Sequence, residues 1–242
     1  WLPPIYLDER NFFNPAKNRN FNHCDTILLL AYRNSKPVGR IMGIIHRTYN
    51  ERMTEKTARF GYIECYNDPE VAHALISYIE KWAREKGMNK IIGPYGFSDK
   101  DPQGLLIEGF EHIPLLDSAS NFPYMVDLVT NEGYSKEIDC IVYRLDLTKK
   151  LPDIYEKVSQ RVQKKPEYTF LSFTSRKQVR PFIVPVFQLI NDTYKDLYGF
   201  VPMDELNMTD FANRYLPLLD PRFIKIVTCG DDVVAFIIGI PN

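Results

Sequence analysis

Two segments far apart in the 242-residue chain carry one pattern. Thr26 to Arg33 is a β-rich run, Asn34-Ser35-Lys36-Pro37 reads as a turn, and Val38 to Arg47 is a second β-rich run. Phe223 to Cys229, the turn Gly230-Asp231-Asp232 and Val233 to Ile240 repeat it. At an offset of 195 positions, Leu28, Leu29, Ala31, Tyr32, Val38 and Ile41 stand against Phe223, Ile224, Ile226, Val227, Val233 and Phe236, apolar against apolar each time. β-formers on both sides of a short turn specify a hairpin. A spacing this long is too great for a solenoid and points to two copies of one domain. The residues behind the first hairpin have no counterpart behind the second, so the second copy is expected to be the front half of a domain.

Behind the first hairpin, Tyr49 to Thr57 reads as a polar loop and Ala58 to Tyr66 as a strand. Asp68-Pro69-Glu70 then opens a helix, with Asp68 as N-cap and Pro69 at the first helical position, where its missing N–H costs nothing. Val71, Leu75, Tyr78, Ile79, Trp82 and Ala83 fall on one face, and Glu80, Lys81, Arg84 and Glu85 on the other. Gly87 ends the helix. A short strand, Lys90 to Ile92, leads into the loop GPYGFSDKDPQGLLIEGFEHIP at 93–114, which is long enough to be a binding loop or an ordered flap. A helix from Asn121 to Glu132 and a strand from Tyr134 to Leu145 close the unit. In the tail, Tyr168 to Phe173 reads as a strand, Lys177 to Tyr198 as a helix disturbed by Pro181 and Pro185, and Asp204 to Leu219 as another helix. Gly39 and Gly43, inside a strand, imply close approach by a neighbour.

Composition excludes several classes. A formal net charge of −1 favours neither nucleic acid nor an anionic membrane as a partner. The longest apolar run, residues 27–32, is strand-sized and far short of the roughly 18 residues a membrane helix needs. Four cysteines scattered singly suit a reducing cytoplasm rather than a disulfide scaffold or a zinc site. His23, His46, His73 and His112 stand alone, so no metal is expected. The basic groups Arg161-Lys164-Lys165 and Arg176-Lys177-Arg180 read as solvated faces.

The order β-β-β-α-β-loop-α-β, together with NFPYMVDLVTNEGY at 121–134, resembles the GNAT superfamily of acyl-CoA-dependent N-acyltransferases. Asn121 takes the Asn, and Gly133-Tyr134 the Gly-Phe, of that family's N-x-x-A-x-x-L-Y-x-x-x-G-F helix. The 93–110 loop is similar to that of uncharacterised bacterial tandem acetyltransferase-like proteins. The resemblance implies an α/β fold on a mixed α+β sheet, in tandem. Residues 1–146 would be a first domain lacking its opening strand and helix, 147–166 a connector, and 167–242 the front half of a second domain.

The activity implied is acyl transfer from acetyl-CoA or another acyl-CoA to a small amine-bearing ligand. In that reading Glu64 is the general base. Tyr124 stands in as the acid, because Val129 occupies the family's tyrosine position. Ile63, Cys65, Asn67, Val71 and Asn121 would meet the acyl-CoA. Tyr95, Phe97, Asp99 and Glu108 of the long loop would hold the amine with aromatic walls and carboxylates. The alternative is a non-catalytic ligand-binding or scaffolding protein built from degenerate domains of this kind.

The family holds the CoA pyrophosphate on backbone amides at the start of its central helix, through an Arg/Gln-x-x-Gly-x-Gly/Ala turn. The matching turn here, Cys65 to Val71, has neither Gly nor Arg; Pro69 removes a donor, and Asp68 and Glu70 place negative charge there. The isolated first domain is therefore expected not to bind acetyl-CoA.

Overall fold

Asn34 and Ser35 both adopt positive φ, 50° and 62°, the left-handed pair by which a two-residue turn matches strand twist. Around that turn, in a computed structural model that describes residues 6–115 and 118–240, β1 (Cys24–Arg33) pairs antiparallel with β2 (Lys36–His46). The chain divides into two compact units, Trp1–Glu137 and Ile138–Asn242.

In the first unit, α1 (Tyr6–Phe12) and a 3-10 turn (Arg19–His23) precede the hairpin, and α2 (Arg47–Met53) follows it. β3 (Thr57–Cys65), α3 (Pro69–Glu85), β4 (Lys90–Ile92) and α4 (Tyr124–Asn131) complete the unit. The four strands form one mixed sheet in the order β1-β2-β3-β4, antiparallel except for the parallel pair β3–β4. α3 covers one face. Asp68 caps it by accepting from the amides of Glu70 and Val71. Val71, Leu75, Ile76 and Ile79 bury against Ile41, Phe60, Ile63 and α4, each contributing about 1.5–3 kcal/mol. The strand glycines make this packing possible: a Cβ on Gly39 would lie 2.9 Å from Cys65 Cβ and Val71 Cγ1, and one on Gly43 would lie 3.0 Å from Trp82.

The second unit holds α5 (Asp153–Gln163), β5 (Tyr168–Ser172), α6 (Arg176–Val179), α7 (Ile183–Thr193), α8 (Glu205–Tyr215), β6 (Ile224–Cys229) and β7 (Asp232–Ile238). Its three strands form an antiparallel sheet, β5-β6-β7. Phe173, Val179, Val186, Leu216, Ile224 and Ile226 make its core. α5 buries no residue.

The two hairpins share their pairing in detail. Ala31↔Gly39, Tyr32↔Pro37 and Arg33↔Lys36 correspond to Val227↔Ala235, Thr228↔Val233 and Cys229↔Asp232, with a register shift at the same place in both. The offset that aligns turn, bulge and register is 196, one residue more than apolar matching alone gives.

Other expectations need correction. The polar loop at 49–57 is largely the helix α2, because His46 Nδ1 accepts from the Tyr49 amide and caps it. Tyr78 is exposed and Trp82 half-buried, so the buried stripe of α3 runs through Ala72 and Ile76 instead. Tyr134 to Leu145 forms no strand; Ile138, Ile141, Val142, Tyr143 and Leu145 are exposed there. Pro181 falls in a short 3-10 turn, Arg180–Phe182, that separates α6 from α7.

Candidate functional site

β3 carries a bulge where Arg40↔Glu64 gives way to Met42↔Gly61, so Tyr62 and Ile63 together oppose Ile41. Tyr62 takes φ +52° to make it. A one-residue slip exchanges the faces of a strand. Phe60, Ile63 and Cys65 therefore pack on the α3 side, while Arg59, Tyr62 and Glu64 turn to the other.

Glu64 there meets Arg40, whose Nε lies 3.2 Å from Glu64 Oε2 and whose Nη1 donates to Glu9 Oε1 at 2.5 Å. Arg40 also lies over the Phe13 ring at 5.7 Å. These side chains are only 22–44% exposed, so the ion pairs are partly shielded from water. One residue further along β3, the Tyr124 hydroxyl donates to the Cys65 carbonyl at 2.9 Å. Burial, with Cys65, Glu64 and Tyr66 nearby, raises the Tyr124 phenol above its ordinary value. Tyr124 thus joins the Cys65 carbonyl on the α3 side, while Glu64 faces Arg40 on the other side of β3; Tyr124 keeps its proton at neutral pH and can donate it.

Other predicted residues are already engaged in holding the fold. Asn121 clasps the Leu106 backbone from both sides, accepting from its amide at 2.7 Å and donating to its carbonyl at 3.2 Å. Ile63, Cys65 and Val71 lie in the core, and Asn67 is exposed. Burial, then Asp68, pushes the Cys65 thiol up to about 11. At the start of α3, Asp68 Oδ1 occupies the Glu70 and Val71 amides. Arg33, more than thirty positions before this turn in the chain, pairs with Asp68 at 2.8 Å and Glu70 at 3.0 Å. The helix start is an acidic cap closed by a cation, and it does not fit a pyrophosphate.

The long loop is ordered by a residue that sequence reasoning passed over. Arg59 is 1% exposed, with its guanidinium 4.5 Å from the Tyr49 ring centroid and 4.6 Å from that of Tyr95. Its Nη1 donates to the carbonyls of Gly96 at 3.2 Å and Phe97 at 2.8 Å. Asp101 accepts from the amides of Phe97 and Ser98, and the Gly104 amide closes the loop on the Pro94 carbonyl at 2.7 Å. Gly61 lets it cross: a Cβ there would stand 2.6 Å from the Tyr95 carbonyl oxygen. Tyr95 and Phe97 are consequently core residues, not the open aromatic walls expected, because Arg59 covers Tyr95 and the rings of Phe12 and Phe21 cover Phe97. Asp99 pairs with Lys100 at 2.9 Å, and Glu108 is exposed. The only signal for Arg59 is a cation inside the strand ARFGYIEC, whose other charged residue is Glu64.

Among the described residues, no group of three His, Cys, Asp or Glu side chains is placed to hold a metal ion. Among the same residues, no helix is long and apolar enough to cross a membrane.

No protein-family profile matches the chain. It is 29% identical over 245 residues to Protein YghO of Escherichia coli (strain K12), an alignment covering 100% of this chain and 61% of that protein. It is 26% identical over 243 residues to Bacterial ceramide synthase of Caulobacter vibrioides (strain NA1000 / CB15N), covering 100% of this chain and 63% of that protein. The chain spans about three-fifths of the length of these curated relatives, and the alignments cover all of its own length.

Proposed function

We propose that this chain belongs to an acyl-CoA-dependent N-acyltransferase that forms an amide on a long-chain amine, through GNAT-like units in tandem. The observation that carries the reading is the similarity to bacterial ceramide synthase over the whole chain. A ceramide is the amide of a fatty acid with a long-chain amino alcohol, so the matching reaction is acyl transfer to nitrogen. The identical register of the two hairpins supports a duplicated unit, and four free thiols support a reducing cytoplasm.

In this reaction the amine nitrogen, its proton taken up by Glu64, attacks the thioester carbonyl. The C–S bond then breaks, and the departing thiolate takes a proton from Tyr124. The ammonium form of the substrate would compete with Arg40 for Glu64. Because the α3 start does not fit a pyrophosphate, the CoA phosphates are held outside that turn. The same acidic cap favours a second reading, a ligand-binding unit without turnover, and kinetics separate the two. With a long-chain acyl-CoA and an amine panel, Glu64→Gln and Tyr124→Phe should each lower kcat/KM by about 10²–10⁴. Turnover unchanged in both would remove these residues from the chemistry.

A further inference from the structure

We propose that residues 105–115 of the first unit, with Phe122, form a ledge that holds the hydrocarbon chain of a cationic single-chain amphiphile, a long-chain primary amine. The inference rests on the amine-acylating reading above and names the tail subsite. Ile107, Phe110, Ile113, Leu115 and Phe122 are 38–78% exposed, five large apolar side chains within sixteen positions. The two ends of the segment are fixed. Asn121 clasps Leu106 through two hydrogen bonds, and Leu105 packs against the core. Phe122 stacks on Tyr124 with ring centroids 5.5 Å apart and an interplanar angle of 9°. Tyr124 in turn reaches the Cys65 carbonyl at 2.9 Å, so the apolar ledge runs up to the residues proposed for the chemistry.

Charge chooses the occupant. Between Asp101 and Gly133 the sequence holds Asp101, Glu108, Glu111, Asp117, Asp127 and Glu132 and no Lys or Arg, in a chain whose net charge is only −1. Asp101 is engaged with loop amides and Glu132 with His73 at 2.8 Å, while Glu108 and Glu111 are exposed in the same stretch as the apolar side chains, Glu111 with His112 Nε2 at 3.3 Å. A fatty acid or an anionic lipid surface would be repelled by these carboxylates; an alkyl ammonium is attracted to them while its chain covers the apolar groups.

The test is equilibrium binding without acyl-CoA. The chain is titrated calorimetrically with octylamine, decylamine and dodecylamine, each below its micelle-forming concentration. On an open ledge each methylene should gain about twofold, half the logarithmic gain of full burial, or roughly 15-fold from octylamine to dodecylamine. Ile107→Ser with Ile113→Ser should flatten that dependence. Both positions are exposed, so the thermal midpoint should stay put and report an intact fold. Glu108→Gln with Glu111→Gln should weaken dodecylamine but not dodecanol.

Chain-length dependence that survives the double serine variant would overturn the ledge, as would dodecanol binding as tightly as dodecylamine. Amine-independent binding to phosphatidylcholine or phosphatidylglycerol vesicles that the serine variant abolishes would also overturn it and make the segment a membrane-docking face. Amine binding without any acyl transfer would remove the proposed reaction and leave the ledge standing.

Discussion

Replacing Arg59 by Met tests whether the 93–104 loop is held by one buried cation. Met approximates the stem of the side chain, so apolar packing changes little, but Nη1 and its hydrogen bonds to Gly96 and Phe97 disappear. Two bonds from a charged donor are worth about 1.5–3 kcal/mol each. The contacts with the Tyr49 and Tyr95 rings add about 0.5–2 kcal/mol each. Against this stands the cost of burying a guanidinium, several kcal/mol, which also holds the Arg59 pKa below its usual value. The difference is a destabilisation of about 3 kcal/mol, or about 1.5 M in the urea midpoint at a slope near 2 kcal/mol per M. The loop should open first: amide exchange at Phe97, bonded to Asp101, and at Gly104, bonded to Pro94, should accelerate about 100-fold. Stability within about 0.5 kcal/mol of the parent and exchange within about twofold would show that Tyr95 and Phe97 hold the loop by apolar packing alone.

His46 Nδ1 caps α2 only while it is unprotonated, and burial, then Arg59, pushes its pKa down to about 4. The unfolded chain takes up this proton near pH 6.5 and the folded one near 4, so stability is complete above 6.5 and should fall by up to about 3 kcal/mol as pH drops through that window. His46→Asn, which retains a cap, should lack this slope in urea midpoints measured from pH 7 to 4. Asp68→Ala should cost α3 about 0.5–2 kcal/mol in thermal or urea unfolding. In calorimetry residues 1–137 should show no acetyl-CoA binding at near-physiological salt; micromolar binding lost on substitution of Asn67 would contradict the cap argument. Thiol labelling at pH 8 should modify exposed Cys140 first, because burial pushes Cys24 up to about 12 and Cys65 up to about 11.

Local chemistry was legible where one residue type decides the outcome. Asp68-Pro69 marked the start of α3, the Gly pair of β2 marked its packing face, and Asn34-Ser35 lay within the expected turn. The failures have one local cause and several in partners distant along the chain. His46 is an uncommon cap, so α2 read as loop. The bulge at Tyr62 has no local marker, yet it alone decides that Glu64 faces Arg40 and Glu9 rather than the core. Tyr95 and Phe97 look like binding-loop aromatics until Arg59, on a strand well before them in the chain, is seen to gather their backbone. The run 134–145 has strand composition but pairs with no strand among the described residues, and composition cannot supply a partner.

Acyl transfer to nitrogen is tested most directly by product. The chain is incubated with palmitoyl-CoA labelled with carbon-13 in the acyl group and with dodecylamine, and amide and free CoA thiol are quantified by mass spectrometry. The proposed reaction yields a labelled N-dodecyl amide, with one thiol released per amide formed. Acyl-CoA consumption at a rate indifferent to the amine, with the label recovered only as free fatty acid, would contradict it.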